Sequence, residues 1–574
     1  MLARLLRAEE PSFFSRGPWD DVPDAELPTP PLYDGLGLAH LSVSTHVPLA
    51  QAYFDQGLRL LHMGWGTEAR RAFAEAARLD PDLAMAWWGL ALSRGAGARF
   101  ASERAAAIHT ALALCEKASD REQRYIVAAS QLADKGPANG RHAFVREMEY
   151  LIELYPEDAE ARLLLAGFLL DGYETDGRPG TGQPYAQALL RELLRATPHH
   201  EGVHLAWICS MEESGRPWAA KDSALRLLSL CAHASPYLLS AGRLLQRLGL
   251  LEQAQSALQM AVEADDAYLA REALPANAAP CAELAIQRLV AVCADAGQYR
   301  EGQTWARRLR HRVEETGDGQ AAVLAACTLS SLHLRFGFWK AAADVHVELS
   351  DESTAAERGL LEGLRLYTRG VGALESGRLM EAERACDGLD AQHKVLAEER
   401  RSEGRVLCAR DVGRVAEVAG QELRGVLEAR RGDSARAEAT LIRAVRMERR
   451  LRPAGPVPYS RSARESLARA RLRLGREEKA LELARELATA RPGSGHVRYL
   501  VAEARVATGA LAEAVLDFAA FLECWSQADS HLPELKRARA FMTGRGRYLR
   551  VVGASEQAED RSGPFLQTLQ AQAP

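Results

Sequence analysis

A short phrase recurs along this chain: a glycine, four residues, then an alanine. It occurs at Gly64/Ala69, Gly215/Ala220, Gly249/Ala254, Gly337/Ala342, Gly377/Ala382, Gly432/Ala437, Gly475/Ala480 and Gly509/Ala514, with Gly297/Gly302 as a degenerate copy. Each copy lies between two stretches with helical apolar spacing. A glycine can end a helix in the left-handed conformation without a Cβ penalty. The alanine is small enough to let the next helix pack closely on the one before. A recurring helix–turn–helix unit stacks on its neighbours, so the pattern predicts an all-α solenoid.

Length is then no domain count, because a solenoid grows by repeats. The 574 residues are 47% hydrophobic and 26% charged, with a formal net charge of -5. Interspersed charge argues against a nucleic-acid groove or a polybasic membrane face. No apolar run approaches the roughly 18 residues that a transmembrane helix needs. The start, MLARLLRAEEPSFF, carries charges inside its apolar run and does not read as a signal peptide. The nine cysteines are scattered and never spaced C-x-x-C, which reads as reduced, buried thiols and a cytoplasmic protein.

Four segments follow from composition. Residues 1–47 hold prolines at 11, 18, 23, 28, 30 and 31 and form an extended arm, expected to lie on the first repeat. Residues 48–275 and 276–540 are two repeat halves, with turn signals over 271–283 at the break. Residues 541–574 read as a flexible tail. Excess length between repeats falls in 171–184, 391–413 and 450–461.

The first unit carries the sharpest pattern. Tyr53, Gly57, Ala69, Phe73, Ala76 and Pro81 stand at the offsets of the tetratricopeptide pattern W-x2-L-G-x2-Y…A-x3-F…P, and Ala480 and Ala514 are 34 positions apart. Over about residues 48–540 the chain resembles tetratricopeptide repeat (TPR) proteins. That resemblance implies a right-handed α-solenoid of stacked TPR-like hairpins, whose concave groove is lined by the first helix of each unit. YDGLGLAHLSVST (33–45) and FDQGLRLLHMGWGTEARRAFAEAARLDPDLAMAWWGLA (54–91) are also similar to a group of large bacterial TPR proteins with a histidine-rich N-terminal half, as are HEGVHLAWICSMEES (200–214), AVEADDAYLAR (261–271) and VPYSRSARESL (457–467). Recurrent histidines in that group suggest a metal or redox centre. Here only His40 remains of the opening run, Gly66 takes the first-repeat position, and Leu205, Cys209, Pro236, Leu239 and Arg243 stand at others. The resemblance thus implies a lost centre. The segment FLECWSQADSHLPEL (521–535) resembles a closing TPR helix.

The weak metal candidates are His200 and His204, which share a helical face at i,i+4, with His199 and Cys209 nearby. Pro198 puts the first pair at a turn, so a loop pair beside a buried thiol is the expected reading, and no cofactor is expected. GRPGTGQP (177–184) lacks the Lys-Ser/Thr of a phosphate loop. TPR resemblance places Leu239, Arg243 and Gln246, Leu364, Tyr367, Val371 and Leu374, and Glu465, Arg469, His496, Tyr499 and Glu503 on the groove. Arginine and tyrosine there are anchors for a peptide. The expected function is a non-enzymatic scaffold binding a protein or peptide partner in its groove. The alternatives are a metal- or cofactor-bearing accessory protein or enzyme, and a small-ligand sensor with its ligand near residues 205–283.

Overall fold

The computed structural model describes residues 18–19, 21–94, 100–174, 177–316, 318–349, 353–398, 409–449, 451 and 461–552. Among them there is no β-strand, only an isolated Tyr173–Pro179 bridge. The first helices are α1 (Pro48–Met63), α2 (Gly66–Leu79), α3 (Ala84–Ser93), α4 (Ala101–Ala113), α5 (Asp120–Leu154) and α6 (Ala159–Leu169). They continue as α7 (Gln183–Ala196), α8 (Glu201–Glu212), α9 (Lys221–Leu230), α10 (Ser235–Arg247), α11 (Leu251–Glu272) and α12 (Ala282–Asp295). The rest are α13 (Tyr299–Thr316), α14 (Gly319–Arg335), α15 (Trp339–Ala343), α16 (Ala355–Glu375), α17 (Leu379–Glu398) and α18 (Ala409–Arg431). The chain closes with α19 (Ser434–Glu448), α20 (Ala463–Arg473), α21 (Glu477–Ala490), α22 (Gly495–Ala507), α23 (Leu511–Cys524) and α24 (Pro533–Val552). Neighbouring helices pack as hairpins, giving the all-α solenoid that the repeated phrase predicts.

The phrase works as its chemistry suggests. Gly64, Gly249, Gly337, Gly377, Gly432, Gly475 and Gly509 all take positive φ, as does Gly297. At Gly64 (φ 78°) the amide turns back to the Leu60 and Leu61 carbonyls and closes α1. Gly215 has no positive φ; a 3₁₀ turn over Pro217–Ala220 makes that corner instead. Every partner alanine is buried in the seam, from Ala69 to Ala514. In the first unit the Phe73 ring is fully buried and clamped between two helices. A Cβ at Gly57 would lie 2.7 Å from it, and one at Gly89 2.4 Å.

The proline-rich arm is ordered over its described residues and lies on α1 and α2. Its backbone donors end on side chains of the helices. Tyr33 N donates to Gln56 Oε1 (2.7 Å), and Leu38 N and Ala39 N donate to the two oxygens of Glu201 (2.9 Å each). Ser44 N donates to Glu122 Oε1 (2.7 Å). In return Tyr53 and Gln56 donate to the Pro30 and Pro31 carbonyls. Prolines suit such a path because they carry no N–H to satisfy. The segment 452–460, most of 399–413 and residues 553–574 lie outside the described residues; α24 runs past residue 540, where the sequence suggests a tail.

The solenoid closes on itself at two places. In the first, the Trp65 ring meets that of Tyr268 at 4.7 Å, and Arg71 on α2 reaches Glu272 on α11 (3.0 Å). The hub is Glu68, fully buried, which accepts from Trp19 Nε1 (2.9 Å), Tyr33 Oη (3.2 Å), Tyr268 Oη (2.8 Å) and Arg71. In the second, Trp525 Nε1 donates to the Asp295 carbonyl (2.9 Å), and Asp529 N donates to the Gly297 carbonyl (3.1 Å). The Gly249 and Gly493 backbones abut, so closely that a Cβ on Gly493 would lie 2.7 Å from the Gly249 Cα.

Glu68→Ala leaves Tyr268 Oη and Trp19 Nε1 without their acceptor, and leaves Glu272 to answer Arg71 and Tyr33 alone. The expected loss is roughly 3–5 kcal/mol of stability, as for other broken buried ion pairs, read by denaturant unfolding. A loss below about 1 kcal/mol would show that the closure contributes little.

Candidate functional site

The helices α8, α10, α12, α14 and α19 and the turn after α21 surround a cavity of about 530 Å³. It lies within the size range of small-molecule and peptide pockets. Its wall is rich in arginine: Arg243 and Arg247 from the end of α10, Arg288 from α12, Arg335 from the end of α14, and Arg491 after α21. Helix C-termini favour cations, which accounts for Arg247 and Arg335 in last turns. Glu212, Asp295 and Glu448 face them, and Val290, Leu324 and Leu332 make apolar wall between. A second cavity, of about 450 Å³, lies under the arm between Tyr33, Trp65, His233 and Tyr268.

Most of the cavity's charges are answered. Arg243 pairs with Glu212 (2.6 Å), and Arg491 with Asp295 (3.0 Å). Behind the wall, Glu465 is almost fully buried and takes Arg335 (2.5 Å) and Arg491 (2.8 Å). Burial would raise that carboxyl, but the two guanidinium charges overcome it and hold it down at about 2. Glu448 has no such pairing. Burial pushes its carboxyl up to about 7, with the charges of Glu422 and Glu465 adding to the shift.

The positions that the sequence places on an open groove divide into two sets. Arg243 and Gln246 line the cavity. Arg469 and Glu503 remain partly open and face each other at 3.8 Å. The others are enclosed by helices, which corrects their expected exposure. Tyr367 is buried and donates to Glu422 (2.8 Å). Glu465 is the ion-pair hub. His496 is walled by Phe336 and Trp525, with ring centroids at 5.2 and 5.0 Å, and burial holds it well below its ordinary pKa. Tyr499 packs on Phe521 at 5.2 Å. Leu239, Leu364, Val371 and Leu374 are core residues. Closure accounts for His496 and Glu465, which meet Phe336 and Arg335 at the end of α14, whereas Tyr499 and Tyr367 are covered by the nearby helices α23 and α18.

The metal candidates are also rearranged. His204 contacts Ser223 and the Pro198 carbonyl, both at 3.0 Å. The metal-capable group among the described residues is instead His62, Glu160 and His200, whose ligand atoms lie within 4.8 Å of one another; Cys209 is not part of it. Both imidazole Nε2 atoms contact Glu160 at 2.8 Å, and both Nδ1 atoms are buried without a partner. Burial opposes ionisation of Glu160, but the two histidines outweigh it and hold the carboxylate well below its usual range. Two imidazoles and a carboxylate form a donor set that suits zinc. Sequence reasoning missed His62, since its partners come from two other helices.

It also missed Arg288, Arg335 and Arg491. A signal exists for Arg288, because Gln287-Arg288 interrupts the apolar run from Leu284 to Val292. For the other two, the partners are remote in sequence and no local pattern marks them.

No protein-family model matches the chain, and no curated protein matches it. Among solved structures, a tetratricopeptide repeat protein from Parabacteroides merdae is 15% identical, covering 54% of this chain and 98% of its own, with a TM-score of 0.26. Yeast Tom70 is 12% identical over 91% of this chain and 99% of its own, with a TM-score of 0.30. At those identities and scores nothing of either protein's function transfers.

Glu465 gives a pH test. A carboxylate whose pKa falls on folding adds stability above its unfolded value, near 4.3, and that contribution fades as pH falls toward 2. Glu465→Gln is expected to cost about 3 kcal/mol at pH 7. The gap from the parent protein should narrow steadily below about pH 4.5, measured by urea unfolding at each pH. A gap that does not vary with pH would refute the ion-pair assignment.

Proposed function

We propose that this chain is a non-enzymatic scaffold that binds a protein or peptide partner, and that the partner engages the mouth of the central cavity. The supporting observation is where polar groups remain available. The arm covers Gln56 of α1 and Glu201 of α8, and Tyr367, Glu465, His496 and Tyr499 are buried in packing. On the cavity wall Arg247 is exposed and Arg243 is about one-third exposed. Arginine and amide groups around an apolar floor are suited to anchoring a peptide segment. A cytoplasmic setting belongs to the same proposal and rests on the sequence.

A photo-crosslinking residue in place of Gln246 tests it in native lysate. One discrete adduct is expected, weakened by Arg247→Glu and absent when the probe replaces Arg436, an exposed residue of α19. The same adducts at both positions, or none at Gln246, would remove the reading.

A second reading, a metal-bearing accessory protein akin to the histidine-rich TPR group, draws on the His62–Glu160–His200 cluster. One zinc per chain in protein purified without chelator, lost with His62→Ala, is what it requires. Metal-free protein with an intact cluster would dismiss it.

A further inference from the structure

Charge on the central cavity wall does not cancel. Arg243 is answered by Glu212, Arg491 by Asp295 and Glu465, and Arg335 by Glu465. Arg247 is exposed to water. Arg288 stands apart. It lines the cavity, and its Nε is buried with no hydrogen-bond partner. No ion pair or hydrogen bond to a described residue engages its guanidinium. Glu448, also on the wall, has its carboxyl pushed up to about 7 by burial and so supplies only part of a compensating charge at neutral pH. Burial, with the Arg243 charge beside it and against the charge of Glu212, pulls the Arg288 guanidinium down to about 10. The side chain is partly buried, and a cation so placed without a hydrogen-bonded partner costs stability, a cost that is offset when a bound anion completes the pair.

We propose that the cavity binds a carboxylate that carries an apolar group, the carboxylate pairing with Arg288. The anion follows from the unmet charge. A guanidinium fork matches a carboxylate in two parallel hydrogen bonds. One unanswered charge calls for a monoanion, and Asp295 and Glu448 on the same wall oppose the second charge of a phosphate. The apolar wall of Val290, Leu324 and Leu332 takes the apolar group. This chemistry is shared by a free N-acyl amino acid and by the C-terminal residue of a peptide. The inference uses the same cavity as the scaffold reading, and it can fail separately from it.

Calorimetric titration of the full chain tests it with N-acetyl-leucine, N-acetyl-phenylalanine and N-acetyl-glutamate. Their C-terminal amides are uncharged controls, inorganic phosphate is the dianion control, and Ala-Ala-Ala-Ala-Leu is the peptide arm. At least one free acid should bind, with its amide and phosphate weaker by at least about tenfold. Arg288→Gln should lose the acid by a similar factor, Arg288→Lys should keep part of it, and Arg247→Gln should keep most. Without ligand, Arg288→Gln should melt no lower than the parent, because it removes an unpaired charge. A pentapeptide that binds more tightly than N-acetyl-leucine assigns the site to a partner's terminus, and the reverse assigns it to a free acid. Equal binding of acids and amides, no binding by any acid, or a clearly lower melting point for Arg288→Gln would each overturn the proposal. A crosslinked partner without acid binding would leave the scaffold standing and end this inference. Acid binding without a crosslinked partner would do the opposite.

Discussion

The buried carboxylate of Glu68 is the contact on which the first closure depends. It gathers donors from the arm, from its own helix and from α11, so that Trp19, Tyr33, Arg71 and Tyr268 converge on two oxygens. A carboxylate has about four acceptor directions, and these are filled. In an open solenoid each repeat touches only its neighbours, and stability is a sum of local terms. Here α2 and α11 are joined, which makes a one-dimensional stack cooperative. Glu465, with Arg335 and Arg491, does for the second closure what Glu68 does for the first. Both hubs are fully paired, the condition under which a buried charge is tolerable.

The repeat architecture was legible in the sequence because its cause is local. A left-handed glycine and a seam alanine act within one turn, and Gly57, Phe73 and Gly89 act between successive helices. Gly215 departs from the pattern because Pro217 offers another way round the corner. Closure was not legible. Tyr268 and Glu68 are 200 positions apart, and neither breaks the helical pattern of its own segment. Some groove positions failed for that reason, since His496 meets Phe336 at the end of α14, while Tyr499 is covered by the next helix, α23. The metal-capable cluster was hidden in the same way, since only His200 of its three members stood out in the sequence.

The central cavity departs from this economy of pairing. Its wall carries an arginine without a partner, a carboxyl held near neutrality by burial, and an amide oxygen without a donor. A fold that satisfies Glu68 and Glu465 so completely has the means to satisfy these too. Buried polar atoms without a partner occur elsewhere too, His62 Nδ1 and His200 Nδ1 among them; here such atoms border a concavity with room for a ligand.

The arm has a consequence in time. It precedes every repeat in the chain, yet Tyr33 bonds Glu272, 239 positions later. At synthesis rates of about 5–20 residues per second, the arm waits on the order of ten seconds or more for that partner to emerge. Hairpins such as α1–α2 contain their own seam and can pack as soon as they leave the ribosome. The arm is therefore among the first segments made and among the last to settle, and for that interval the donors along Leu38, Ala39 and Ser44 must be held by water or by another chain.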